Sequence, residues 1–427
     1  MLIRNRVIPV NVGGRTRVIP VGLVGTDFST PLQQKYLARD EFIGPVSIGI
    51  VHNTGATPGP GRRSVVDGDG NKLFIDAHNL VYAPKGVVTT GDPGLWLDIP
   101  IARVPGRFVV AHYKASTIGA TDFQFDSNLV TAPIEGLRSG AVMATLNNGA
   151  GINLGGITMA AGVDYYFITV LRTAGAYKFY KISITGLWKF GYFHELGNVT
   201  PLYAAISNRD SVAYSRFLRV YEDLLTITPQ AYDTFTRPNN TLGRTESIGP
   251  ENQATISRTW TDQEGTWGVS GNVAMASALA GGIAVATYPV DTPSVMHAAS
   301  ITRAAGNVGI VMRYVDANNY VYALHNGANA QLIRRVGGVD DVRVNVAAAY
   351  GAGNRIAIFN EGTTFTLYYN NVMIGAVQTI NDAILQPSCL VGLYTTNIGN
   401  SIDNAVTFAK GIENQYSVMD RYIQDAV

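Results

Sequence analysis

Carboxylates, imidazoles and a single thiol are the groups in this 427-residue chain that could do chemistry, so their spacing is read first. Glycoside hydrolysis needs two carboxylates flanking one bond. No run of closely alternating acids occupies a strand-like stretch here; Asp98, in Leu95-Trp-Leu-Asp-Ile99, stands alone. His194-Glu195 is an adjacent acid/base pair on a Gly-flanked stretch, for which an exposed loop is the simpler reading. The six histidines (His52, His78, His112, His194, His297, His325) lack the His-x-His or His-x-x-x-His spacing of a zinc site. Asp67-Gly-Asp-Gly-Asn71 invites calcium, but the EF-hand glycine position holds Lys72 and the twelfth position holds His78, so a Gly-rich turn explains it with less. Val12-Gly-Gly-Arg15 has no following helix and fails as a phosphate loop. Cys389, in an apolar stretch, reads as an inert core thiol. The expectation is a non-enzyme with no catalytic residue, no metal and no cofactor.

The elements that would position any site are strands. Charged residues make up 15% of the chain, against roughly 25% in an average soluble domain, while 46 glycines supply turns. Short apolar or alternating runs bounded by Gly, Pro, Asn and Asp fill residues 45–228: Val46–Val51, Lys72–Ile75, Leu95–Ile99, Arg107–Tyr113, Tyr165–Leu171, Tyr177–Ile182 and Phe217–Tyr221. After a linker at Glu222–Ala231 the same grammar fills 229–410, with strands expected at Ile301–Tyr314, Tyr320–His325, Gln331–Val336, Arg355–Asn360, Thr364–Tyr369, Cys389–Tyr394 and Ala405–Phe408. Ile168–Tyr180 parallels Ile356–Tyr369, and Pro201–Ser207 parallels Cys389–Thr395. The fold class is therefore all-β, two tandem jelly-roll β-sandwiches of duplicated origin. Tyr416, Met419, Tyr422 and Ile423 fall at helical spacing, so a short helix is expected in the tail 411–427.

Residues 1–44 read as an extended N-terminal arm. Arg6-Val-Ile-Pro-Val10 recurs as Arg17-Val-Ile-Pro-Val21 around Gly13-Gly14, which predicts a ribbon, and residues 29–42 hold room for a short helix or turn. Arg4, Arg6, Arg15 and Arg17 precede the first acid, Asp27. They are either solvated or the contacts by which the arm docks on a neighbouring subunit, a two-stranded ribbon being marginal alone. A net charge of +1 gives no general attraction to nucleic acid or to an anionic membrane. Arg334-Arg335 sits beside Asp340-Asp341 and reads as a surface hairpin. Nothing approaches the roughly 18 apolar residues of a membrane span, and the N-terminus lacks a secretory signal's apolar core.

Asp233-x-Phe-x-Arg237, Leu242-Gly243, Trp260, Gly265-x-Trp267, Gly309-Ile-Val-Met-Arg-Tyr-x-Asp-x-Asn-Asn-Tyr320, Asn360-Glu-Gly362, Phe365–Asn370 and Val391-Gly-Leu393 follow one another over the second half. In this order they resemble the laminin-G-like, or concanavalin A-like, jelly-roll family. The tryptophans then read as core plugs, and Asp316-Ala-Asn-Asn319 as a hairpin turn. The resemblance implies a concave sheet face on which Arg313, Tyr320 and Tyr322 would contact a glycan, though tyrosines packing on a sheet account for them as well. Such domains occur in bacteriophage virion proteins and in secreted carbohydrate-binding or carbohydrate-cleaving proteins. The expectation drawn is a virion structural protein of tail, fibre or capsid surface, made in the host cytoplasm. It would be a homo-oligomer that meets other virion proteins through its arm and a host glycan through its body. The alternative is a carbohydrate-binding module or weak glycosidase outside any virion.

Overall fold

A computed structural model describes residues 6–12, 15–21, 35–42, 54–55, 62–66, 73–76, 79–82, 94–117, 121–126, 135–139, 142–147, 150–194, 202–208, 212–249, 254–411 and 417–423. Two units emerge, Met1–Lys35 and Tyr36–Val427. The first contains the antiparallel hairpin Arg6–Val12/Arg15–Val21, in which Arg6 pairs with Val21, Val10 with Arg17 and Val12 with Arg15.

Among the described residues the larger unit holds four antiparallel sheets, and in each pair six strands follow the same order in the two halves. Sheet 1a runs Trp188–His194, Ala176–Ile182, Asp164–Leu171, Phe108–Thr117, Leu218–Tyr221, Tyr36–Asp40, with Val212–Ser215 also pairing to Phe108–Thr117. Sheet 2a runs Val372–Thr379, Thr364–Tyr369, Asn354–Glu361, Val295–Thr302, Ser401–Ala409, Ala231–Asp233. Sheet 1b runs Ala150–Thr158, Val142–Asn147, Glu135–Ser139, Thr121–Asp126, Tyr203–Asn208, Gly94–Leu97. Sheet 2b repeats that order as Val339–Ala347, Asn329–Val336, Asn319–His325, Val308–Asp316, Leu390–Thr395, Ala284–Pro289. The paired segments at 168–180 and 356–369 occupy equivalent strands, and so do those at 201–207 and 389–395.

Each sandwich opens in the same way. Ala231–Asp233 pairs with the closing strand Ser401–Ala409, and Tyr36–Asp40 pairs with the closing strand Leu218–Tyr221. In both, an Asp accepts a hydrogen bond from the backbone N of a Phe two residues on, Asp233 from Phe235 at 2.8 Å and Asp40 from Phe42 at 2.9 Å. Both phenylalanines are buried with positive φ, 53° and 52°. Holding a non-glycine residue there costs about 1 kcal/mol or more, which the buried ring and the Asp bond offset. Tyr36–Asp40 thus belongs to the body, so the arm ends nine residues before the expected boundary at 44, and residues 36–40 form a strand where a helix or turn was expected.

The expected strand Ile301–Tyr314 is two, Val295–Thr302 and Val308–Asp316, parted by a turn with Gly306 at φ 60°. The tail forms a 3₁₀ helix, Ser417–Tyr422, with Met419, Tyr422 and Ile423 buried against the first sandwich. Residues of the expected linker pack too: Leu225 and Ile227 are buried in the same cluster.

Sheet 2a is apolar on both faces. Along Asn354–Glu361, Ile356 and Ile358 enter the core of the second sandwich, while Ala357 and Phe359 enter the cluster of the first. The same division separates Ala405 from Val406 and Phe408. Rings from the first sandwich cover that second face: Phe190 stacks on Phe408 at 4.7 Å, Tyr192 on Phe359 at 5.5 Å, and Tyr177 meets Phe408 edge-on at 5.5 Å. Such pairs add about 0.5–1.5 kcal/mol each beyond the area they bury.

Candidate functional site

The motif residues are structural hubs. Asp233, fully buried, accepts from Arg237 Nη1 at 2.6 Å and Nη2 at 3.0 Å and from Trp260 Nε1 at 2.7 Å, in addition to Phe235 N. Arg313 is 1% exposed, and its guanidinium donates to Asn360 Oδ1 at 2.6 Å, Gly362 O at 2.9 Å and the Gln386 carbonyl. A register shift between Met312 and Asp316 turns Arg313 (φ 56°) inward toward sheet 2a. It therefore does not share a face with Tyr320 and Tyr322.

Those two tyrosines do meet, 5.3 Å apart, in a buried cluster with Tyr314 and Tyr394. The arginine at this cluster is Arg335, which donates to Tyr320 Oη at 2.9 Å and grips Asp340 at 2.8 and 2.9 Å. With Tyr320 and Tyr322 at 0% and 4% exposure, packing accounts for the rings. Arg4, Asp67–Asn71, His52, His78, Glu195 and the expected strand Val46–Val51 lie outside the described residues, as do the side chains of Arg6, Arg15, Arg17 and His194. Cys389 is half-buried rather than buried, and burial pushes its thiol up, away from the thiolate.

One His–Asp pair leaves no mark in the sequence because its members lie on different strands. Buried His112 meets Asp164 through Nε2 at 2.9 Å, and its Nδ1 accepts from Arg216 N at 3.2 Å. The ring hydrogen bond to His112 holds the Asp164 carboxyl down at about 2, with Lys114 helping, while burial lowers His112. Ser215 Oγ donates to the His112 carbonyl rather than to the ring, so Ser215 lacks the ring contact of a Ser–His couple. Among the described residues, no group of three or more His, Cys, Asp or Glu converges as metal ligands, and no helix is long and apolar enough to cross a membrane.

Among the described residues, a cleft of about 300 Å³ opens between the two sandwiches. Ile157 and Tyr180 line one side; Phe359, Thr364 and Thr366 line the other; Lys410 reaches into it. The backbone of Lys410 is held from both halves, its N donating to Ser294 O at 2.9 Å and its O accepting from Phe190 N at 2.9 Å. Its side chain is 7% exposed, with the ammonium 5.3 Å from the Phe359 ring centre and 5.7 Å from that of Tyr180. Burial pulls Lys410 down to about 8; Glu361 opposes that shift and the charge of Lys189 adds to it. Lys189 and Glu361 form an ion pair at the mouth of the cleft.

No protein-family profile matches the chain, and no curated protein matches it. Among solved structures, the carbohydrate-binding module CBM66 from Bacillus subtilis is similar at 15% identity, covering 35% of this chain and 92% of that one with a TM-score of 0.28. The metal-free exoplasmic/lumenal domain of VIP36 is similar at 10% identity, covering 45% and 95% with a TM-score of 0.31. A xylan β-1,4-xylosidase from Bacillus halodurans C-125 is similar at 12% identity, covering 92% and 91% with a TM-score of 0.27. These are β-sandwich, lectin-like neighbours, and similarity at this level says nothing of ligand or reaction.

Proposed function

We propose that this chain is a non-enzymatic bacteriophage virion structural protein, of tail, fibre or capsid surface, that docks by its N-terminal arm and carries two joined sandwiches. One observation supports the reading: Met1–Lys35 forms a compact unit of its own, and its described elements are a single hairpin. A two-stranded ribbon is marginal alone, and each strand here carries a proline, Pro9 or Pro20, which removes a backbone donor. A neighbouring subunit's surface would supply what the ribbon lacks, and closed particle symmetry would make the chain a homo-oligomer. Deleting residues 1–26 should abolish incorporation into particles while the melting of the body stays unchanged; full incorporation of the truncated chain would overturn the docking claim. A carbohydrate-binding role is the second reading, favoured by the cleft around Lys410.

A further inference from the structure

We propose that the cleft between the two sandwiches binds a uronate sugar, whose carboxylate is received by the Lys410 ammonium. The inference rests on the second reading above and is independent of the arm.

Lys410 is more than nine-tenths buried, and its ammonium has no hydrogen-bond or ion-pair partner among the described residues. The Phe359 and Tyr180 rings and the charge of Glu361 compensate this cation only in part; desolvating it costs several kcal/mol, and a hydrogen-bonded carboxylate offsets that cost directly. Lys189 is already neutralised by Glu361, so the charged groups of the cleft leave one net positive charge. That balance suits a monoanion. A phosphate dianion would bring a second negative charge close to Glu361. Thr364 and Thr366 on one wall and Thr158 on the other offer hydroxyl-bearing side chains to a polyhydroxylated ring, and Tyr180 and Phe359 offer apolar surface to its C–H face. The volume lies at the low end of ligand pockets, roughly 300–1,000 Å³, a size for one sugar ring.

The test is calorimetric titration of the full-length protein with galacturonate, trigalacturonate, galactose and acetate. Galacturonate should bind at least tenfold more tightly than either galactose, which lacks the charge, or acetate, which lacks the ring. Tighter binding of trigalacturonate assigns the site to a polymer, and equal binding assigns it to the free sugar. Lys410→Met should lose at least tenfold in galacturonate affinity with an unchanged or raised melting temperature. Should that variant fail to fold, the wild type still decides. Raising the pH from 7 to 9.5 discharges Lys410, while Tyr180 is held well above its ordinary value by burial and so stays neutral. Galacturonate affinity should then fall at least tenfold. Equal binding of galacturonate and galactose, an affinity indifferent to pH, or a folded Lys410→Met that binds as well as wild type would each overturn the proposal.

Discussion

His297 shows how a single side chain ties the second sandwich together and makes it sensitive to acid. Its Nε2–H donates to Gly392 O at 3.0 Å, leaving Nδ1 to accept from Thr407 Oγ1 at 2.8 Å; Thr407 in turn accepts from Tyr288 Oη at 2.8 Å. This chain of bonds links sheet 2a to sheet 2b and needs a neutral ring. Burial holds His297 down at about 4. Between that value and the ordinary value near 6.5, the unfolded chain takes up a proton that the folded chain refuses, so stability falls as pH falls through the window. The loss reaches about 3 kcal/mol at its acid end. Urea midpoints of the wild type should drop between pH 6.5 and 4.5, and His297→Gln should flatten that drop. Lys410 is the complementary case. In the sequence, a lysine closing Ala405-Val-Thr-Phe-Ala-Lys410 reads as an ordinary strand end facing water, because its burial is supplied by a sandwich two hundred residues away. The face of Arg313 is not legible in the sequence for a local reason: alternation carries along the strand only as far as Met312, where the register shifts.

At the scale of elements, two glycines of the recognised motifs have a plain steric reason. A Cβ on Gly309 would lie 1.9 Å from Ala323 O, and one on Gly392 would lie 1.8 Å from Ala286 O. Gly392→Ala should therefore push neighbouring strands apart, at a cost of about 2 kcal/mol or more, read as a lowered urea midpoint. Strands such as Thr364–Tyr369 were legible because apolar side chains recur with short polar punctuation, and the duplication was legible where both copies keep a strand, a Gly-bearing turn and an aromatic strand. The opening of the first sandwich was not. Asp40-Glu-Phe42 keeps the Asp-x-Phe turn but lacks the Arg and Trp that follow in the second copy. Its clamp is Glu41, which grips buried Arg219 with two bonds of 2.6 Å across 178 residues, a partnership no spacing in the sequence discloses. Burial works to raise the Glu41 carboxyl, but Arg219 and then Arg39 outweigh it and leave it lowered.

For the whole molecule, the aromatic contact makes two sandwiches into one mechanical body. Phe408 meets Tyr177, Phe190 and Phe193 within 5.5 Å, and Arg219 and Tyr221 of the first sandwich both donate to Tyr422 O in the tail that follows the second. Calorimetry of the wild-type body should show one unfolding transition. Phe408→Ala removes about 3–5 kcal/mol of packing and should split it into two. The candidate cleft exists only because of this junction, so the same variant should also weaken whatever the cleft holds.

The return of the tail has a consequence for any shortening of the chain. Tyr422 packs its ring on Phe108 and Tyr221 at 4.7 Å from each, and Asp420 receives Lys181 at 2.6 Å and Trp188 Nε1 at 2.9 Å. Part of the first sandwich's surface is thus sealed by residues that follow the second sandwich in sequence. A chain cut after Lys410 would leave that seam of aromatic rings open to water, an exposed apolar patch of the kind that invites aggregation.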